Sequence, residues 1–280
     1  MRLSSGIDWK MVWALMRRDA HNWASYRLQI VIAILGALVG FASWGFNASY
    51  RDVTVQLPLS FQAAPVYNTS YLSFIVTGIL VSNVVLSLTG GVTSGLRPWM
   101  LESILMTGIR PATFVLGTVA WSYFLSVIFF FPQLVIGIFF FNVDLNVNLI
   151  SFALAVIISG IIVFGISMAS VGMRLVTKVT DPINWILGIS MSLLSGQTFP
   201  VQYLNSYFPG IAYVSWALPY TWIFTIIRSS TLAGASVFDL PVAEAFLVSL
   251  VYAAVLVPVG LYFFRWGLNR AKKQGTLGWW

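Results

Sequence analysis

The chain has no cysteine and a single histidine, His21, in 280 residues. Disulfides and thiolate metal sites are therefore excluded, and His21 has no second ligand near it and reads as a polar surface residue. Charge is scarce too. Asp, Glu, Lys and Arg make up 8% of the chain while 59% is hydrophobic, against about 25% charged in an ordinary soluble domain. A soluble protein of this length could bury a large core, but these few charges could not cover its surface. No Gly-x-x-x-x-Gly-Lys-Ser/Thr loop occurs, which excludes nucleotide binding in the P-loop manner. The apolar runs themselves hold essentially no ionisable residue, since Asp144, Asp181, Asp239 and Glu244 fall at or near their ends. A charge at the bilayer centre costs at least about 2.5–3.5 kcal/mol and is kept there for function. Its absence argues against a proton- or sodium-coupled carrier. With no nucleophile–base pair and no aspartate pair at depth, it also argues against an intramembrane hydrolase. The chain is not an enzyme by itself, and active transport would draw its energy from another polypeptide.

What the chain does have is a series of apolar runs of about 20 residues, the length that crosses a hydrocarbon core of about 30 Å. They predict an all-α integral membrane protein with six spans forming one transmembrane domain over residues 1–280. Residues 5–26 precede them as an amphipathic helix, with Trp9, Val12, Trp13, Leu15, Met16 and Trp23 interleaved with Lys10, Arg17, Arg18 and Asp19. Tryptophan beside basic residues suits a helix lying in the membrane interface; the alternative is a solvated helix packed on a soluble partner. The spans fall at about 28–46, 71–92, 112–141, 147–173, 182–199 and 242–264. The first has no small-residue cleavage site after it and reads as a span rather than a removed signal peptide. Gly36 and Gly40 in it form a GxxxG pattern that lets a second helix approach, a candidate dimer contact. The loop that follows carries Asn47-Ala-Ser49 and Asn68-Thr-Ser70, weak glycosylation triplets. Pro132 and Pro258 are expected to kink their spans, and Gly160, Gly165, Ala169 and Gly172 offer small surfaces for helix contact. Residues 200–240 contain an apolar stretch, Ile211 to Ile227, broken by Pro219 and closed by Arg228. It is barely long enough to cross and is read as a re-entrant helical hairpin that returns to the side it entered from.

The basic residues fix the orientation. With both termini cytoplasmic, thirteen of the fifteen Lys and Arg lie inside, and only Arg51 and Arg228 fall outside. Were Ile211 to Ile227 a full span, the basic tail with Arg265, Arg270, Lys272 and Lys273 would lie outside. The net charge of +7 is thus explained by residues flanking spans, and no stripe suited to nucleic acid exists. The expected location is the plasma membrane.

Between spans 2 and 3 lies Arg97–Arg110, RPWMLESILMTGIR. Trp99, Leu101, Ile104 and Leu105 recur at helical spacing, and Gly108 and Pro111 close the run. Taken alone it suits either an ordinary interfacial loop or a cytoplasmic helix on which a partner pushes, with Arg97, Glu102 and Arg110 free for charged contacts. Its Leu101-Glu102-Ser103-Ile104-Leu105-Met106-Thr107-Gly108-Ile109 resembles the first cytoplasmic connection of ABC-2-type transporter permeases. Trp99-Met100 stands where that family has Gly-Thr, and Gly108 where proline is common. A second block is similar to the same family after span 5. It comprises Ser195-Gly196-Gln197-Thr198-Phe199-Pro200, then Leu218-Pro219-Tyr220-Thr221 and Arg228.

The resemblance implies the membrane subunit of an ATP-binding-cassette exporter, paired with a second copy of itself or a related permease and with two cytoplasmic ATPase subunits. Those ATPases would bind ATP and Mg; this chain would hold no cofactor. Arg97–Arg110 would be the coupling helix, with Arg97, Trp99, Leu101, Glu102, Leu105 and Arg110 making the contact. Spans 1 and 5 would lie at the dimer interface. The region with Ser195, Gly196, Phe199, Pro200, Pro219, Tyr220 and Arg228 would cap the exit. The uncharged spans, with Phe129, Phe130, Phe131, Phe139, Phe140 and Phe141 in the third, suit a hydrophobic or amphipathic cargo such as a drug or lipid, although such phenylalanines also suit lipid contact or packing. A lipid-linked glycan exporter of the same family, or a nucleotide-independent channel or facilitator, remains the alternative.

Overall fold

The computed structural model describes residues 8–49, 54–57, 67–95, 111–143, 145–177 and 182–274. The described chain is helical apart from one short hairpin. The helices are α1 (Trp9–Ser25), α2 (Arg27–Ser49), α3 (Tyr71–Gly95), α4 (Pro111–Phe141), α5 (Leu149–Thr177), α6 (Pro182–Leu193), α7 (Val201–Tyr207), α8 (Ile211–Trp216), α9 (Pro219–Leu232) and α10 (Leu240–Lys273). Strands β1 (Thr54–Leu57) and β2 (Tyr67–Ser70) pair antiparallel, with Thr54 opposite Ser70 and Leu57 opposite Tyr67. This hairpin replaces part of the loop expected after span 1.

Three helical stretches, Thr113–Phe141, Leu149–Thr177 and Val242–Lys273, are long and apolar enough to cross a membrane, and the bent pair α1–α2 would make a fourth. Large apolar side chains cover the outside of the bundle, among them Leu28, Ile32, Phe139, Phe140, Leu149 and Val251. Water would leave such a belt uncompensated, whereas lipid tails solvate it. The chain is a helical multi-pass membrane protein.

Local chemistry sets the helix starts. The Asp8 carboxylate accepts from the backbone N–H groups of Lys10 (3.1 Å) and Met11 (3.3 Å), capping α1. Ser70 Oγ accepts from Ser73 N (3.2 Å) at the start of α3, and Asn148 Oδ1 from Ser151 N (3.2 Å) at the start of α5. The chain leaves α4 through Asn142, whose φ of 46° lies in the left-handed region that asparagine tolerates better than most residues. Between α1 and α2 the direction changes by 87°. Val12 and Leu15 of α1 are buried, closing on Gly117 of α4, while Trp9 and Trp13 stay exposed on its other side.

The bundle is registered by close backbone approach. A Cβ on Gly165 of α5 would lie 2.7 Å from the Leu256 carbonyl of α10, and one on Gly260 would lie 2.9 Å from Gly165 C. One heptad on, a Cβ on Gly172 would lie 2.7 Å from Phe264 N, and one on Gly267 2.8 Å from Gly172 C. Small residues let backbones meet in this way, and in lipid, close van der Waals packing is what holds helices together. Numbers rise together along both helices, so α5 and α10 are parallel. Gly160, also expected at a contact, faces the Tyr123 ring of α4 at 3.4 Å.

Helix α9 runs against both. Its last carbonyls, Ser230 and Thr231, accept from Asn148 N (2.8 Å) and Asn146 N (3.0 Å) at the end where α5 begins. At its start, Ala217 O accepts from Tyr252 Oη (2.9 Å), twelve residues along α10 from Leu240, or about 18 Å at 1.5 Å per residue. The turn before α9 therefore sits well inside the bundle, and α9 climbs from there back to the end where α5 begins. Nearly every side chain of α9 is buried, Tyr220 and Phe224 among the most deeply.

Two boundaries differ from the sequence reading. The helix of the fifth expected span stops at Leu193, and Ser195 to Phe199 form a non-helical loop in which Gly196 has φ +79°. The sixth continues unbroken into the basic tail as far as Lys273, with Pro258 inside it. The segment 97–110 lies outside the described residues.

Candidate functional site: a buried arginine beside an amide-lined cleft

Arg228, expected to close the re-entrant stretch, lies within α9 and is 4% exposed. Its Nη1 donates to the Gly196 carbonyl, and its Nη2 donates to those of Gln197 (2.7 Å) and Phe74 (3.1 Å). The guanidinium carbon lies 3.6 Å from the centre of the Phe74 ring and 5.3 Å from that of Phe224. Arg228 has no carboxylate partner among the described residues; the charge rests on carbonyl dipoles and aromatic faces. Both are favourable electrostatically where water is excluded. The planar fork of arginine is what allows one side chain to reach two chain segments at once.

The loop that receives this fork is possible only because of two glycines. Gly196 turns through the left-handed region, which aims its carbonyl and that of Gln197 at the guanidinium. Gly78, one turn after Phe74 on α3, leaves room for them: a Cβ there would collide with Gln197 O and Arg228 Nη2. Gly78→Ala is accordingly expected to cost about 1–3 kcal/mol, the range for overpacking a tight interior. A lowered thermal midpoint in detergent would show this, and an unchanged midpoint would contradict it.

The network continues beyond the arginine. Gln197 Nε2 donates to Ser82 Oγ (2.9 Å) on α3, and Ser82 donates to Ile79 O (2.9 Å). On the adjacent residue, Asn83 Nδ2 donates to Gln133 Oε1 of α4 (3.0 Å). Asn83 and Gln133 line a cleft of about 530 Å³ between α2, α3 and α4, whose other walls include Ala33, Ala37, Phe129 and Phe130. A second, more apolar space of about 310 Å³ lies between α3, α4, α5 and α9 and is lined by Phe130, Phe131 and Phe152. Of the six phenylalanines singled out in α4, then, Phe129, Phe130 and Phe131 face cavities. Phe139 and Phe140 point outward, and Phe141 packs edge-on against Phe41 and Phe46.

The exit-region residues singled out from sequence come together only in part. Ser195, Gly196, Tyr220, Pro219 and Arg228 are buried, and Phe199 and Pro200 are half-buried beside them. Pro200 precedes α7 and Pro219 is the first residue of α9. Gly36 and Gly40 lie on an exposed face of α2, where an added Cβ would meet nothing within 4 Å among the described residues. Arg97, Trp99, Leu101, Glu102, Leu105 and Arg110 are outside the described residues. Phe74, Gly78, Asn83 and Gln133 were not anticipated, yet a signal existed: each amide is the only Asn or Gln in its apolar helix. No group of three or more His, Cys, Asp or Glu that could hold a metal occurs among the described residues. The arrangement brings hydrogen-bonding groups and apolar walls together. No family model matches the chain, and no curated protein does.

Proposed function

We propose that the chain is the membrane-spanning permease subunit of an ATP-driven exporter of the ABC-2 kind. It would carry a hydrophobic or amphipathic compound out of the cytoplasm through the plasma membrane. In this reading the chain crosses six times with both termini cytoplasmic, and α1 lies in the interface. Residues 97–110 dock into a groove of a cytoplasmic ATPase that binds ATP and Mg, and the exposed Gly36–Gly40 face of α2 meets a second permease. Closure of the ATPases would drive a rigid-body shift of the spans.

One observation carries most weight. The two sequence blocks that look like the family's exit region, around Ser195–Pro200 and Leu218–Arg228, are joined by the Arg228 fork and form one structural unit. Parallel α5 and α10 add support, because they require an odd number of crossings between them. That agrees with one crossing by α6 and a re-entrant α8–α9. The near-right-angle bend before α2 suits an interfacial α1.

Coupling is tested in the complex with its ATPase. Glu102→Ala combined with Arg97→Ala and Arg110→Ala is expected to lower ATP hydrolysis by the assembly at least tenfold, with the thermal midpoint of the membrane subunit unchanged. Hydrolysis at the native rate would contradict the docking role of this segment.

A further inference from the structure

The amide pair at the head of the larger cleft leaves hydrogen-bonding capacity unused. Two primary amides together offer four N–H donors and two carbonyl oxygens, and among the described residues Asn83 and Gln133 make one bond, to each other. Whichever way the two amides are turned, one NH₂ and one carbonyl remain unpaired. Gln133 is 3% exposed, Asn83 is exposed, and both line the cleft, so the unused polar groups of the pair adjoin that space. If the pair served only to hold α3 to α4, the expected arrangement would be closed against hydrocarbon, because an unmet polar group there is costly. The pair instead opens into about 530 Å³, within the range of small-molecule sites.

The rest of the lining narrows what could fill it. No Asp, Glu, Lys, Arg or His lines it among the described residues, which disfavours a charged head group. The hydroxyls of Ser122 and Ser126 donate back to the carbonyls of Thr118 (3.1 Å) and Tyr123 (2.8 Å), leaving the amides as the donors available to a ligand. From Gln133 to Ser122 the cleft follows α4 for about 16 Å at 1.5 Å per residue, with Leu125, Phe129 and the alanines of α2 as apolar wall.

We propose that this cleft binds an uncharged amphiphile whose head both donates and accepts a hydrogen bond, a hydroxyl or primary carboxamide, with its tail along Phe129, Ala33 and Ala37. Asn83 and Gln133 read the head group. The inference concerns binding, and it stands whether or not an ATPase drives transport.

The probe is a monoacylglycerol with a diazirine in its chain, added to the protein in phosphatidylcholine nanodiscs without nucleotide. Saturable labelling of the α4 peptide around Phe129 is expected. Mono-olein should displace the label at about one-tenth the mole fraction required of methyl oleate, which cannot donate, tenfold corresponding to one good hydrogen bond. Gln133→Met or Asn83→Leu should bring the two competitors within about twofold of each other while methyl oleate still competes. That retained competition distinguishes lost head-group reading from lost fold. Ala37→Phe, which fills the tail wall, should abolish both. Non-saturable labelling, equal competition in the native protein, or a preference untouched by both amide substitutions would overturn the proposal.

Discussion

Arg228→Met is expected to destabilise the folded protein by about 3 kcal/mol. The substitution removes a buried charge, which is favourable, and had its partners been side chains they could be replaced together at little cost. Here they are main-chain carbonyls and stay where they are. Those of Gly196 and Gln197 lose the arginine donor at about 1–3 kcal/mol each. The Phe74 carbonyl keeps Thr77 Oγ as a donor and loses less. Stacking on Phe74, at 3.6 Å, is lost as well. Arg228→Lys separates geometry from charge, since a single ammonium cannot reproduce the planar fork; it should recover less than half the loss. Because Gly78 and Arg228 serve the same contact, Gly78→Ala and Arg228→Met together should cost clearly less than their sum. Titration of the detergent-solubilised protein with a denaturing detergent, read by circular dichroism, measures the native protein and all four variants. Equal stability of Arg228→Met and native protein would remove the arginine from the account of the fold.

Gly260→Val is expected to prevent accumulation of the folded protein. A Cβ at that position would overlap the backbone of Gly165, with even the carbonyl carbon only 2.9 Å away, and valine adds two further carbons. Backbone cannot swing aside as a flexible side chain can, so α5 and α10 must separate. Separation would also break the Gly172–Gly267 contact one heptad away. Since this helix pair relies on close van der Waals approach, the loss exceeds that of an ordinary surface change. Gly267→Val should behave alike, whereas Gly188→Val on α6, where an added Cβ meets nothing within 4 Å among the described residues, should be tolerated. Fluorescence-detected size-exclusion of tagged variants compares them directly. A monodisperse Gly260→Val peak at the native yield would contradict the parallel packing.

Much of the helix pattern was legible because lipid imposes a simple rule: long uncharged runs become helices. Three expected spans coincide with α4, α5 and α10, the helices long and apolar enough to cross, to within a few residues at most of their ends, and Gly165 and Gly172 were recognisable as contact residues. The partner glycines, Gly260 and Gly267, were not singled out, because their meaning depends on which helix lies opposite. The partners of Arg228 were hidden for a related reason. A charge closing an apolar stretch reads as the point where the chain leaves the membrane, and only the fold reveals a loop of carbonyls arranged to receive it. The break at Leu193 is equally non-local. Ser195-Gly196-Gln197 bends because its carbonyls serve Arg228, thirty-odd residues ahead in the chain. Asn83 and Gln133 were visible as solitary amides, but their pairing joins residues fifty positions apart.

Isolating the native complex tests most directly the proposal that an ATPase drives this membrane protein. The tagged chain would be solubilised from its own membranes in mild detergent, purified, identified with its partners by mass spectrometry, and assayed for ATP hydrolysis. The account predicts a stoichiometric partner carrying a P-loop, vanadate-sensitive hydrolysis, and loss of both on replacing Glu102 and its flanking arginines. A homo-oligomer free of ATPase in several detergents, passing cargo across liposomes without nucleotide, would contradict it and favour a channel or facilitator.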